Sequence, residues 1–288
     1  MGSMYQELKV IDIHTHIGSV KSWSPLLKGF IRVGLKELLE YIDEENLSAT
    51  WLLPLPGKIE ADINIISTNE VIKICKKYPC RLIPFCSIDP RVPKASELLK
   101  DFKKRGCKGL GEFKVKLPVD NPLSIELFEK AGELEMPVII HMDNKFNPDI
   151  VKLKYVLEKC PHTVFILHGP GWWKHISAEA PDKEDYPTGK VVPGGLVEKL
   201  LLKYSNLYAD LSARSGLNAI TRDPAYSKEF LEKFSNRVLF GTDFPCLDID
   251  ATQFGVNKKH LNALISLNLS KKALKNILYE NALNLIAF

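Results

Sequence analysis

The chain has 288 residues, 45% of them hydrophobic and 26% charged, with a formal net charge of +4. That length exceeds most single-core domains but suits one barrel-type α/β domain, and such a composition builds a large core without disulfide or metal staples. The mild charge, with Lys and Glu interspersed, argues against nucleic acid or an anionic membrane as the main partner.

Six cysteines (Cys75, Cys80, Cys86, Cys107, Cys160 and Cys246) include no C-x-x-C pair, so neither a zinc ribbon nor a thioredoxin-type site is indicated. Buried thiols in a reducing cytoplasm are expected. No basic stretch leads into an apolar one at the N-terminus, and no apolar run approaches the ~20 residues of a membrane span. Met1-Gly-Ser resembles a tag remnant ahead of Met4 and is set aside, which leaves 4–288 as one expected domain.

Short, almost continuously apolar runs predict strands at Lys9–His14, Thr50–Leu55, Leu82–Ile88, Gly109–Val115, Pro137–Met142, Thr163–His168, Leu207–Leu211 and Val238–Thr242. Amphipathic segments between them predict helices at Leu35–Leu47, Glu70–Tyr78, Ala95–Lys104, Ser124–Leu134, Pro148–Cys160, Leu196–Tyr204 and Tyr226–Phe234, then Asn257–Ile265 and Lys271–Ile286. Helix-stopping pairs such as Tyr78-Pro79 and Met136-Pro137 punctuate the alternation. Eight strands alternating with helices predict an α/β fold, a (β/α)8 TIM barrel. A doubly wound sheet ranks second, without a Gly-x-Gly-x-x-Gly after the first strand to support it. A long insert, Gly169–Gly195, holds Trp172 and Trp173 and several Pro and Gly, and long loops of this kind are usually functional or disordered.

In such a barrel the chemistry lies at the C-terminal ends of the strands. There the sequence places Asp12, His14 and His16, then Glu112 and Lys114, His141, His168, and Gly241-Thr-Asp243-Phe-Pro245. Side chains two apart on a strand share a face, so His14 and His16 can grip one ion together. Imidazoles with a carboxylate form an N/O ligand set suited to Zn, Mn, Fe or Ni. An ion left with an open position acidifies the water it holds, towards a pKa of ~7.

The ordered set resembles the amidohydrolase superfamily: His14-Thr-His16 after a first strand, a histidine ending each of strands five and six, and Gly-Thr-Asp-Phe-Pro at strand eight. It is most similar to the amidohydrolase-2 group, which includes hydrolases, lactonases, hydratases and decarboxylases related to aminocarboxymuconate-semialdehyde decarboxylase. The tail Ile277–Leu285 resembles that group's closing helix. The resemblance implies His14, His16, His141 and Asp243 as metal ligands, with Asp243 also taking a proton from the attacking water. It implies acid/base chemistry for His168, or a second metal there. Gly109-Leu-Gly-Glu112-Phe also resembles the fourth strand of TatD-like metal-dependent hydrolases, where a glutamate bridges two ions, and Lys114 could be a carbamylated bridge as in other branches. One divalent metal, Zn2+ first among candidates, is favoured over two.

Around these, Asp12 shares the parity of His14 and His16 and is expected to orient a ligand from deeper in the strand. Arg214 after strand seven could bind a substrate carboxylate or pair with Asp210 or Asp223. Trp172 could roof the pocket with Trp173 or pack the insert. His162 precedes its strand, His175 lies in the insert, and His260 is expected on a helix surface. The expected function is a metal-dependent hydrolase of an amide, ester or lactone bond in a small molecule. Alternatives are a non-oxidative decarboxylase or hydratase of a carboxylated substrate, a TatD-like nuclease, and a non-catalytic metal-binding barrel. A homodimer is left open.

Overall fold

Segments rich in Val, Ile, Leu and Phe become strands covered on both faces, because each can bury every side chain only between an interior and a helical layer. In the computed structural model, which describes residues 8–22, 24–57, 60–251 and 259–286, these strands are Ile11–Thr15, Ala49–Leu52, Leu82–Cys86, Gly109–Phe113, Val138–His141, Phe165–His168, Leu207–Asp210 and Val238–Leu239. They lie parallel in chain order. The first strand meets the segment after the eighth through Ile13 N–H to Phe240 O (3.1 Å), Asp243 N–H to His14 O (2.9 Å) and His16 N–H to Phe244 O (2.7 Å). The result is a (β/α)8 TIM barrel.

Two hydrophobic layers follow from strand alternation. Ile13, Trp51, Leu53, Phe85, Ile139, Ile166 and Leu239 pack against one another as an interior plug, all fully buried. The intervening residues, such as Leu110, Ile140, Leu167 and Ala209, meet Leu99, Phe128, Val156 and Leu231 of the surrounding helices.

Two strands carry an extra residue. Between the pairs Asp12↔Thr50 and Thr15↔Leu52, Ile13 and His14 together face Trp51. Between Leu110↔Val138 and Phe113↔Ile140, Gly111 and Glu112 together face Ile139. Each bulge shifts the alternation by one, so a residue that would have faced the helices turns towards the barrel mouth. Bulges therefore deliver His14 and Glu112. Strands five and six need none: His141 and His168 are direct partners across that pair.

The expected helices form with ends displaced by a few residues. Asn257 lies outside the described residues, and its helix is described as Lys259–Ser266. The final helix is not continuous: a wide turn over Asn276–Glu280 separates Lys271–Lys275 from Asn281–Leu285. There the Ile277 carbonyl accepts Phe240 N–H (3.0 Å), and this outside donor accompanies the opened turn. Three elements were not anticipated. An antiparallel sheet joins Gly18–Lys21 to Phe30–Val33 and Ile63–Ile65. These strands are too short to show a period. A helix spans Ala213–Thr221 despite Gly216, which is required there because a Cβ would lie 2.0 Å from Leu211 O. The insert is folded, with short helices at Pro170–Trp173 and Lys174–Ile176. The buried Lys174 ammonium donates to Asp182 O at 3.1 Å.

Candidate metal centre

Four histidines stand at the barrel mouth, and each has one ring nitrogen tied to a partner behind it. His14 Nδ1–H donates to Asp210 Oδ2 (2.7 Å). His16 Nδ1–H donates to the Leu53 carbonyl (2.8 Å). His141 Nε2–H donates to Asp143 Oδ2 (2.8 Å). His168 Nδ1 lies 3.2 Å from Ser212 Oγ. In neutral rings so anchored, the other nitrogen carries a lone pair. All four lone pairs point towards the carboxylates of Glu112 and Asp243. His16 Nε2 lies 3.3 Å from Asp243 Oδ1 and 3.6 Å from Glu112 Oε2. His14 Nε2 lies 3.5 and 3.9 Å from the same two oxygens. His141 Nδ1 and His168 Nε2 each lie 3.0 Å from Glu112 Oε1.

Acceptors facing acceptors repel unless a cation lies among them. His14 Nε2 is buried and makes no hydrogen bond within the described residues. Unsatisfied buried nitrogen is costly, and here it is aimed into a nest of carboxylates. The atoms of His14, His16 and Asp243, and those of His14, Glu112 and His168, lie within 4.8 Å of one another, spacings that fit a metal ion. Each ring has the supporting partner that metal-binding histidines have. The site therefore fits a divalent metal ion.

Electrostatics show how strongly the site draws positive charge, held by the His14 ring where no metal is bound. Burial pushes His14 down, but Asp210, Glu112 and Asp243 outweigh it and raise the ring well above the ordinary imidazole range. Burial pushes Glu112 up, yet Lys114 and the three histidines His14, His141 and His168 hold it well below the usual carboxylate range. His168 is pushed down to about 4 by burial and by the charge of His14. For Asp243, burial is outweighed by the hydrogen bond to His16 and the charges of His14 and His16, which hold it at about 2. Asp243 is the most exposed of the ligand candidates, at 17% of its side chain against 11% for His141 and 0% for His14. At Gly241 a Cβ would stand 2.6 Å from Asp210 Oδ1 and 3.1 Å from the His14 Cβ, so only glycine lets strand eight close on this network.

Other expected residues fall elsewhere. Asp12 does not align with His14 and His16, because the bulge intervenes. It accepts from Tyr41 Oη (2.7 Å), Thr242 Oγ1 (2.5 Å) and Thr242 N–H (3.1 Å), and it touches His14 only through the backbone N–H (3.0 Å). The carboxylate that orients the His14 ring is Asp210 instead. Ser212 and Asp143 were overlooked. Asp210 and Ser212 repeat the alternate polar placement of His14 and His16, a signal present in the sequence. Trp172 is fully buried in the core rather than facing a substrate, and Trp173 Nε1–H donates to Asp210 O (2.8 Å). Arg214 stacks on Tyr186 of the insert (4.4 Å) and lies 3.9 Å from Asp248. Lys114 Nζ lies 3.7 Å from Glu112. His162 is exposed, lining a 370 Å³ cleft with Pro137 and Ile286. His175 is half-buried within the insert.

His260 is a correction: it is fully buried, with Nε2–H donating to Leu211 O at 2.7 Å. It sits under the Ala213–Thr221 helix, which the sequence pattern does not disclose. Burial pushes the ring down to about 4, against the pull of the Leu211 carbonyl and of Asp210. Because the folded value lies below the ~6.5 of an unfolded histidine, the unfolded chain binds the extra proton between those values, and stability falls as pH drops through that window. Wild type is expected to lose about 2 kcal/mol more than His260→Gln between pH 7 and pH 4.5 in urea unfolding. Parallel losses would refute the assignment.

Residues 11–288 match a family model described as Amidohydrolase. No curated protein matches the sequence. Among solved structures, an uncharacterised TIM-barrel protein from Bordetella bronchiseptica is 18% identical, covering 97% of this chain and 99% of its own at a TM-score of 0.68. A protein described as a probable 2-pyrone-4,6-dicarboxylic acid hydrolase from Acinetobacter baumannii is 16% identical, with 98% and 100% coverage and a TM-score of 0.62. A 2,6-dihydroxybenzoate decarboxylase from Rhizobium is 14% identical, with 97% and 98% coverage and a TM-score of 0.60. At these identities the structures share the fold. Matched along nearly its whole length by the family model, the chain belongs to the amidohydrolase family.

Proposed function

We propose that the protein is a metal-dependent hydrolase that cleaves an amide, ester or lactone bond of a small molecule. The observation that carries this is the convergence of histidine ring nitrogens on Asp243 and Glu112, with His14 Nε2 buried and without a hydrogen-bond partner among the described residues. His14, His16 and Asp243 would hold one divalent ion, zinc first among candidates, with Glu112 and His141 beside them. When bound, the metal supplies Lewis acidity towards a carbonyl oxygen and lowers the pKa of water.

The remaining steps belong to this chain's residues. Asp243, held low by His14 and His16 and partly open to solvent, would accept a proton from the attacking water. His168, kept neutral by burial, stabilises developing charge or relays the proton towards the leaving group. Lys114 and Arg214 are cations suited to an anionic substrate group. They support the second reading, a decarboxylase of a carboxylated substrate. Glu112, His141 and His168 also converge, which supports a second ion. The six free thiols support a cytoplasmic location.

Elemental analysis of metal per chain, followed by a panel of lactones, amides, esters and aromatic carboxylates, tests these readings. The expected result is one ion per chain and hydrolysis. Carbon dioxide release would replace the reaction with decarboxylation, and two ions per chain would replace the single site.

A further inference from the structure

We propose that the Ser212 hydroxyl sets the tautomer of His168 and ties that ring to the Asp210 carboxylate that orients His14, so that His168 presents an unprotonated Nε2 to the space the two rings share. Ser212 is fully buried. Its Oγ lies 2.8 Å from Asp210 Oδ2 and 3.2 Å from both His14 Nδ1 and His168 Nδ1. Its backbone N–H donates to Asp210 Oδ1 (2.7 Å), which fixes the carboxylate.

A hydroxyl has one proton and two lone pairs. Asp210 Oδ2 accepts that proton, because a carboxylate offers only lone pairs. Ser212 Oγ can then only accept from His168, so the His168 proton resides on Nδ1. The same Asp210 oxygen accepts from His14 Nδ1–H at 2.7 Å. One carboxylate thus orients two histidine rings, His14 directly and His168 through Ser212. The alternative for His168 is nearby: with its proton on Nε2 it would donate to Glu112 Oε1 at 3.0 Å and block the nitrogen facing the ligand atoms. Among the described residues, Ser212 is the partner of His168 Nδ1 that opposes that switch. The other three rings are anchored by a carboxylate or a backbone carbonyl, whereas His168 depends on a hydroxyl that is itself oriented by Asp210. Ser212 is therefore a positioning residue.

This inference rests on the metal-dependent reading for its consequence, but not for its test. Long-range 1H–15N spectra of chelator-stripped, 15N-histidine-labelled protein report which nitrogen of each ring is protonated, with His168 assigned from a His168→Gln sample. Wild type is expected to show His168 protonated on Nδ1, and protonation on Nε2 would overturn the proposal. In Ser212→Ala the proton is expected to move to Nε2, and zinc affinity, measured by competition with a chromophoric chelator, to fall ten- to a hundredfold. Ser212→Thr, which keeps the hydroxyl, should restore both. An unchanged tautomer and affinity in Ser212→Ala would also overturn it, and if that variant fails to fold the wild-type spectrum alone decides. Absence of zinc binding in wild type would remove the metal-dependent reading while leaving the tautomer assignment standing.

Discussion

Replacing His14 by alanine or Asp243 by asparagine is expected to abolish turnover and to strip the protein of metal on dialysis. His14 Nε2 belongs to both convergent sets of ligand atoms, so its loss dismantles each of them. Asp243→Asn keeps the side-chain shape but removes the charge that His14 and His16 face at 3.5 and 3.3 Å. Loss of a positioned base alone costs a factor on the order of 10²–10⁴ in rate, and loss of the ligand adds to it. Both variants should remain folded, because the interior plug beneath them is untouched. The measurements are kcat, metal content and thermal unfolding. Full activity in either variant, or in exhaustively chelated wild type, would end the metal-dependent reading.

Glu112→Gln is expected to cost stability as well as metal. The Glu112 side chain is 4% exposed and that of Lys114 16% exposed, at 3.7 Å from each other. Breaking one partner of a buried ion pair typically costs about 3–5 kcal/mol, because the remaining charge is left uncompensated. Lys114 keeps its proton through Glu112, Asp243 and Asp143, which together outweigh burial. Adding Lys114→Met to Glu112→Gln should therefore recover part of the lost stability, although not the metal. Denaturant midpoints of the two single variants, the double variant and wild type form the double-mutant cycle. Additive effects would show that Lys114 and Glu112 act independently.

The barrel was legible because strands covered on both faces leave continuous apolar runs, and eight such runs appear in order. The histidines were legible because each ends one of those runs. What the sequence hides is the local count of residues. Strict alternation places Asp12, His14 and His16 on one face, and the bulge at Ile13 and His14 breaks that rule, sending Asp12 towards Tyr41 and Thr242. A bulge has no residue signature of its own in that run, so parity alone misassigns Asp12 and understates Asp210. Ser212 escaped notice because a serine near a strand end is common, and its role exists only once two histidines from other strands arrive beside it. His260 was misplaced because its cover, the helix over Ala213–Thr221, contains Gly, Ser and Thr and lacks a strong helical signal. Arg214 shows the same limit: its neighbours Tyr186 and Asp248 come from the insert and from the segment after strand eight.

The plug of Ile13, Trp51, Phe85, Ile139 and Ile166 has a directional consequence. It stops the bore of the barrel, so nothing crosses from one end to the other. Under the proposed function, reactant, water and product would therefore enter and leave from the same end, the one where Asp243 is the most exposed of the candidate ligands. Exchange at that end would then set a ceiling on turnover that no gain in chemistry at the histidines could lift.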